Sequence, residues 1–218
     1  MRYSKFLLPT SKDAPSDADS VSMKYMYRAG MIRKVSAGLF HYLPYFNMIM
    51  RKVNYRIRRG MEKLDSQEMK FPILVAKETL EKSNRWTAFG KEMFSLVDRN
   101  GNGYAISPTN EEYATLVNNM FVKSYNDLPF SIYQIQQKHR DEIRPRNGVV
   151  RAREFTMKDA YSSFVGEIAY PFPFLSVKEN ISLPNAVQRL DFSSVSLLTK
   201  IGNFISCELS FSIPLLIL

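Results

Sequence analysis

A chain of 218 residues, 45% hydrophobic and 23% charged, is long and apolar enough for one globular domain with its own core, which excludes a disordered or low-complexity class. Its 30 Lys and Arg against 21 Asp and Glu leave a formal charge of +9, which suits a polyanionic partner and equally a solvated basic surface. The single cysteine, Cys207, excludes an internal disulfide, and two histidines without a CxxC give no readable zinc site. The first residues lack the apolar run of a signal peptide, and the apolar stretch 204–218 is short and interrupted by Glu208 and Pro214, so no membrane association and a cytoplasmic location are expected.

In chain order, residues 17–29 are predicted to form a helix, capped by Ser16 or Asp17 and stopped at Gly30. A second helix over 46–64 is the clearest, because Phe46, Ile49, Met50, Val53, Ile57, Met61 and Leu64 recur three or four apart on one stripe. Arg51, Lys52, Arg58 and Arg59 fall mostly off that stripe and read as its solvated face. Residues 68–75 are extended. Segments 94–98 and 104–107 flank Arg99-Asn100-Gly101-Asn102-Gly103, a hairpin signal in which Asn-Gly supplies positive φ. A helix over 110–124 is expected to bury Tyr113, Leu116, Val117, Met120 and Phe121, with Glu111 and Glu112 at the positive end of its dipole. Strands 130–142 and 149–157 then form a long hairpin around the turn 143–148. Beyond residue 164 the chain turns rich in Ser, Phe and Leu. There Lys178, Arg189 and Lys200 face Glu167, Glu179, Asp191 and Glu208, so the positive charge belongs to what precedes.

The chemistry concentrates in the long hairpin. Residues two apart share a face of a strand, which groups Gln134, Gln136, Lys138, Arg140 and Glu142 on one side of the first strand and Arg151, Arg153 and Phe155 on one side of the second. If the two faces coincide, the set suits a nucleotide. Arg140 can fork onto a phosphate, Arg151 can reach another, Phe155 can stack on a purine, and Glu142 can accept from its amino group. A solvated hairpin with cross-strand ion pairs, each giving only ~0.2–1 kcal/mol, explains the spacing equally well.

Motif text separates the two. His139-Arg140-Asp141-Glu142, the turn, and then Arg151-Ala152-Arg153-Glu154-Phe155-Thr156-Met157-Lys158-Asp159 resemble motif 2 of the class II aminoacyl-tRNA synthetases, with His139 in place of the usual Phe. The whole run from Arg140 to Tyr161 is similar to that of the bacterial-type prolyl-tRNA synthetases. Pro108-Thr109-Asn110-Glu111-Glu112 resembles the loop in which that family holds the proline nitrogen by a Thr and a Glu, although Asn110 stands where His or Ser is common. Residues 28–34, residues 38–44 and the pair Arg85-Trp86 match the family's N-terminal text, and residues 68–74 with Pro72 look like motif 1, which in the family lies at the dimer interface. Tyr45-Phe46 replaces the usual Leu-Gly, and Ser162-Ser163 carries one Ser more than the family pattern.

The resemblance spans residues 1–163 and implies a partial class II catalytic domain: a mixed α/β fold of the α+β type, with a mostly antiparallel sheet flanked by helices. It implies proline–tRNA ligase activity, with proline, ATP, Mg2+ and tRNA(Pro) as substrates and partners and a homodimer in the full-length family. By that implication Arg140 and Arg151 are catalytic, Arg140, Glu142, Arg151 and Phe155 bind ATP, and Thr109, Glu111 and Arg140 bind proline; no residue is assigned to a metal. Residues 164–218 form a tail without family resemblance, in which motif 3, the editing insertion and the anticodon-binding domain are not found. Little activity of this chain alone is therefore expected, as is an unfinished sheet with exposed strand edges. Two alternatives stay open: another class II enzyme such as the threonyl or seryl one, and a non-catalytic fragment that binds RNA or a partner.

Overall fold

The computed structural model describes residues 2–146, 148–164 and, as backbone, 203–209. Helix α1 (Val21–Arg28) starts where Ser20 takes an extended conformation and its Oγ accepts the Met23 N–H at 3.2 Å. This is four residues later than the spacing predicts, because Asp17 pairs with Lys34 at 2.5 Å instead of capping. Gly30, at φ 65°, ends the turn that follows.

Strands β1 (Ile32–Ser36) and β2 (Leu39–Tyr42) form an antiparallel ribbon that the sequence analysis did not foresee. Helix α2 (Pro44–Glu62) has Pro in its first turn, where a missing N–H costs nothing. Its apolar stripe faces inward, with Phe46 and Met61 buried and the residues of the stripe between them partly covered. Phe46, Ile49 and Met50 join Met23, Met26 and Ile32 in one core, while Ile57, Met61 and Leu64 lie against Tyr133, Ile135 and Ala160.

Three short strands build a small antiparallel sheet: β4 (Leu74–Ala76), β5 (Ser95–Val97) and β6 (Gly103–Ile106) in the order β4-β6-β5. The β5–β6 turn is organised by Asp98, whose carboxylate accepts from the backbone of Asn100 and Asn102 at 2.8 Å each, with Gly101 at φ 88°. Short helices α3 (Lys77–Lys82) and α4 (Arg85–Phe89) cover it, with Leu80 fully buried beside Val75 and Ala105.

The main sheet runs β3-β7-β8-β9, from β3 (Gln67–Glu68), β7 (Phe130–His139), β8 (Glu154–Phe164) and β9 (Asn203–Leu209). Only the β3–β7 pair is parallel. The β7–β8 hairpin is shorter at its tip than the predicted strands 130–142 and 149–157, and its return strand starts later. The ladder closes at His139 and Glu154, and beyond it the two arms of the connection meet again at one antiparallel bridge, Arg146 with Arg151. The sheet does not end at β8 either, because β9 pairs with Lys158–Phe164.

Helix α5 (Glu111–Phe121) corrects a second expectation. Its buried residues are Glu111, Ala114 and Asn118, with Tyr113 and Val117 partly covered, whereas Leu116, Met120 and Phe121 are exposed. A small Ala lets the helix approach β8 closely, and Asn118 Oδ1 accepts the Ser163 hydroxyl at 2.6 Å. The architecture is the mixed α+β type expected.

Candidate active site

Side-chain alternation sorts the β7–β8 pair into two faces. Gln134, Gln136 and Lys138 stand opposite Asp159, Met157 and Phe155, and Tyr133, Ile135 and Ala160 turn back onto α2. Phe155 therefore shares a face with the polar residues of β7, as expected. Arg140, Glu142, Arg151 and Arg153 lie beyond the ladder, so loop geometry rather than strand alternation places them.

That loop is held from several sides. The Arg140 N–H donates to the Arg153 carbonyl at 2.9 Å, the Asp141 N–H to the Glu92 carbonyl at 2.8 Å, and the Arg153 N–H to the Gly38 carbonyl at 2.9 Å. Gly38 sits at φ 75°, and a Cβ there would lie 2.9 Å from Pro145 Cγ and 3.0 Å from Arg153 N. The unforeseen β1–β2 ribbon thus buttresses the loop, and only glycine permits the approach.

Arg140, Glu142, Arg151 and Phe155 line one cavity of about 290 Å³, together with Glu92, Val149, Val150, Ala152, Thr156 and Met157. Arg140 and Arg151 face a common space. The Arg140 guanidinium lies 5.5 Å from the Phe155 ring centroid, and its Nε and Nη2 donate to the Pro108 carbonyl at 3.4 and 3.3 Å. The Arg151 Nη2 is 2.8 Å from Glu142 Oε1, and this hydrogen bond holds the Glu142 carboxyl below the usual carboxylate range while raising the guanidinium. Arg153, grouped with Arg151 and Phe155 by spacing, is not in the lining. Its Nε donates to the Glu142 carbonyl at 3.2 Å and its Nη2 lies 3.5 Å from Asp141.

Thr109 and Glu111 occupy a neighbouring buried cluster reached through Pro108. The Thr109 hydroxyl donates to Glu111 Oε2 at 2.5 Å. Arg85, from α4, approaches Glu111 Oε2 at 3.6 Å and Glu112 Oε1 at 3.4 Å. Arg85 and Glu92 were not among the expected site residues. The Arg85-Trp86 text hinted at the first, whereas nothing in the sequence ties Glu92 to residue 141. Among the described residues no group of three His, Cys, Asp or Glu side chains could hold a metal, and no helix is long and apolar enough to cross a membrane.

Comparison with known proteins agrees with the motif text. The tRNA synthetase class II core domain (G, H, P, S and T) matches residues 93–170. A proline–tRNA ligase of Leptospira borgpetersenii is 48% identical over 178 residues, 82% of this chain and 31% of that protein. One from Finegoldia magna is 50% identical over 169 residues, 78% of this chain and 29% of that protein. Among solved structures, a prolyl-tRNA synthetase of Cryptosporidium parvum complexed with halofuginone and AMPPNP superposes with a TM-score of 0.61 at 21% identity, covering 71% of this chain and 32% of that one. A Giardia lamblia prolyl-tRNA synthetase in complex with prolyl-adenylate gives 0.60 at 22%, over 65% and 30%. The structural likenesses concern the fold, and the chain spans about a third of the length of these relatives. An ordered set of motifs, a matching core domain and near-half identity to proline–tRNA ligases place this chain in the prolyl-tRNA synthetase family of class II enzymes.

Proposed function

We propose that this chain serves as part of a proline–tRNA ligase that uses ATP to activate proline as prolyl-adenylate and passes the prolyl group to tRNA(Pro). Residues 1–163 form its share of the catalytic domain, and residues 164–218 form a tail with no assigned role. The observation that carries the reading is the common cavity of Arg140, Glu142, Arg151 and Phe155, joined to the Thr109–Glu111 cluster through the Arg140–Pro108 contact.

In the first step a proline carboxylate oxygen bonds to the α-phosphorus of ATP, the bond to the β-phosphate bridging oxygen breaks, and pyrophosphate leaves. The protein positions the reactants and stabilises developing charge. Arg140 stands between the two clusters, so its guanidinium serves the α-phosphate and the proline carboxylate together. Arg151 serves a distal phosphate, Phe155 stacks on the adenine, and Glu142 accepts from it. Thr109 and Glu111 accept the N–H bonds of the prolinium. Of the carboxylates lining the cavity, Glu142 is engaged by Arg151, so Glu92 is the one that would help hold a Mg2+ ion carried chiefly by the ATP phosphates. The homodimer and the cytoplasmic location belong to the same reading.

The test uses a complete ligase bearing this segment. Arg140→Ala should abolish proline-dependent ATP–pyrophosphate exchange, and exchange at a near wild-type rate would remove Arg140 from the reaction. Glu111→Ala should raise the proline KM far more than the ATP KM.

A further inference from the structure

A lysine enclosed beneath the amino-acid loop takes no part in the mechanism above. Lys138 is fully buried, with 0% exposure, on β7, where it is the cross-strand partner of Phe155. Its ammonium donates to Asn110 Oδ1, to Gln134 Oε1 at 3.3 Å and to Ser107 Oγ at 3.4 Å. Ser107 Oγ in turn lies 2.9 Å from the Thr109 carbonyl and 3.0 Å from Asn110 Oδ1, the two acceptors within reach of its one proton. On the other side, Gln134 Nε2 donates to Asp159 Oδ2 at 3.0 Å and lies 3.2 Å from the Tyr161 hydroxyl. One buried polar chain thus runs from β8, through Lys138, into the loop that presents Thr109 and Glu111.

The Lys138 ammonium, which can only donate, fixes which way the Asn110 amide points. Its Nδ2 is left buried with no acceptor among the described residues. A buried donor without an acceptor is costly, so the arrangement makes sense where a bound carboxylate or carbonyl completes it. Desolvating an ammonium is costlier still, and this surrounding set of acceptors contributes to offsetting that cost. A methyl-terminated side chain would fill the same space without those demands, so packing alone does not account for a lysine here.

We infer that Lys138 is a positioning residue: through Asn110 and Ser107 it holds the Thr109–Glu111 loop in its substrate-binding geometry and so controls affinity for the amino acid, not for the nucleotide. The inference rests on the ligase reading above.

Proline and ATP binding to the 218-residue chain are measured separately by calorimetry, with thermal unfolding of each variant alongside. Lys138→Met is expected to weaken proline binding roughly tenfold or more while ATP affinity stays within about twofold. Asn110→Ala should weaken proline similarly, and the double variant should do little more than either single one, since both act through one contact. Proline affinity unchanged in Lys138→Met, losses of proline and ATP affinity in parallel, or additive losses in the double variant would each overturn the inference. If Lys138→Met does not fold, Asn110→Ala decides alone: a selective loss of proline supports the role, and unchanged or unselective binding refutes it. Wild-type chain that binds neither ligand would instead defeat the ligase reading of this chain, and the inference with it.

Discussion

At the scale of single residues, ion pairs at and behind the site differ in what they can contribute. Arg58 Nε and Nη2 donate to the Glu68 carboxylate at 2.7 and 2.9 Å, and the Tyr133 hydroxyl, pushed up to about 12 mainly by burial, adds a third hydrogen bond at 3.3 Å. Arg58 holds the Glu68 carboxyl below its ordinary value. Its stabilisation is therefore fully present above the unfolded-state Glu pKa of about 4.3 and is lost as pH falls through the depressed folded value. Because both side chains are partly exposed, Glu68→Gln should lower stability by only about 0.2–1 kcal/mol. Urea unfolding at several pH values checks this: the gap between variant and wild type should be constant at neutral pH and close in acid. The Glu142–Arg151 pair has the same sign, so it stays charged throughout the neutral range in which a nucleotide would compete for Arg151.

At the scale of elements, helix α5 and the β1–β2 turn carry opposite lessons. On α5 Leu116, Met120 and Phe121 face outward, and the small Ala114 faces the sheet between Tyr113 and Val117. Ala114→Leu should therefore destabilise by about 1–3 kcal/mol through overpacking. Phe121→Ser, on the exposed face, should change stability by no more than ~0.5 kcal/mol. Chemical denaturation midpoints distinguish this from the reverse order, which the hydrophobic pattern alone would suggest. In the turn, Gly38→Ala meets a positive φ and the backbone of Arg153 together. It should cost roughly 1–3 kcal/mol and weaken ATP binding, because the strain is passed to the loop that aims Arg140 and Arg151. Unaltered ATP affinity by calorimetry would show that the ribbon does not position that loop.

At the scale of the whole molecule, the backbone of 203–209 pairs with β8 from Lys158 to Phe164, so the edge expected to be bare is covered along that stretch. Truncation after residue 164 should uncover it and promote self-association through unpaired strand groups, detectable by light scattering. A truncated chain as monodisperse as the parent would deny β9 that protective role.

Sequence alone determined the family, the order of its motifs, helix α2 and four residues that the fold brings to one cavity, because these rest on local spacing and on text that does not depend on distant contacts. Helix α2 was legible since one continuous amphipathic stripe lies against the protein interior along its whole length. The burial of α5 was not, because close approach to β8 favours Ala114 and the Asn118–Ser163 hydrogen bond over bulk hydrophobicity. The direction of Arg140 and Arg151 lay beyond strand alternation, since the ladder stops at His139 and Glu154. Long-range backbone contacts to Glu92 and Gly38 set the loop instead. Likewise Lys138 reads as one more polar residue on a strand. Only the fold encloses it, since burial is a property of what packs over a side chain rather than of the side chain itself.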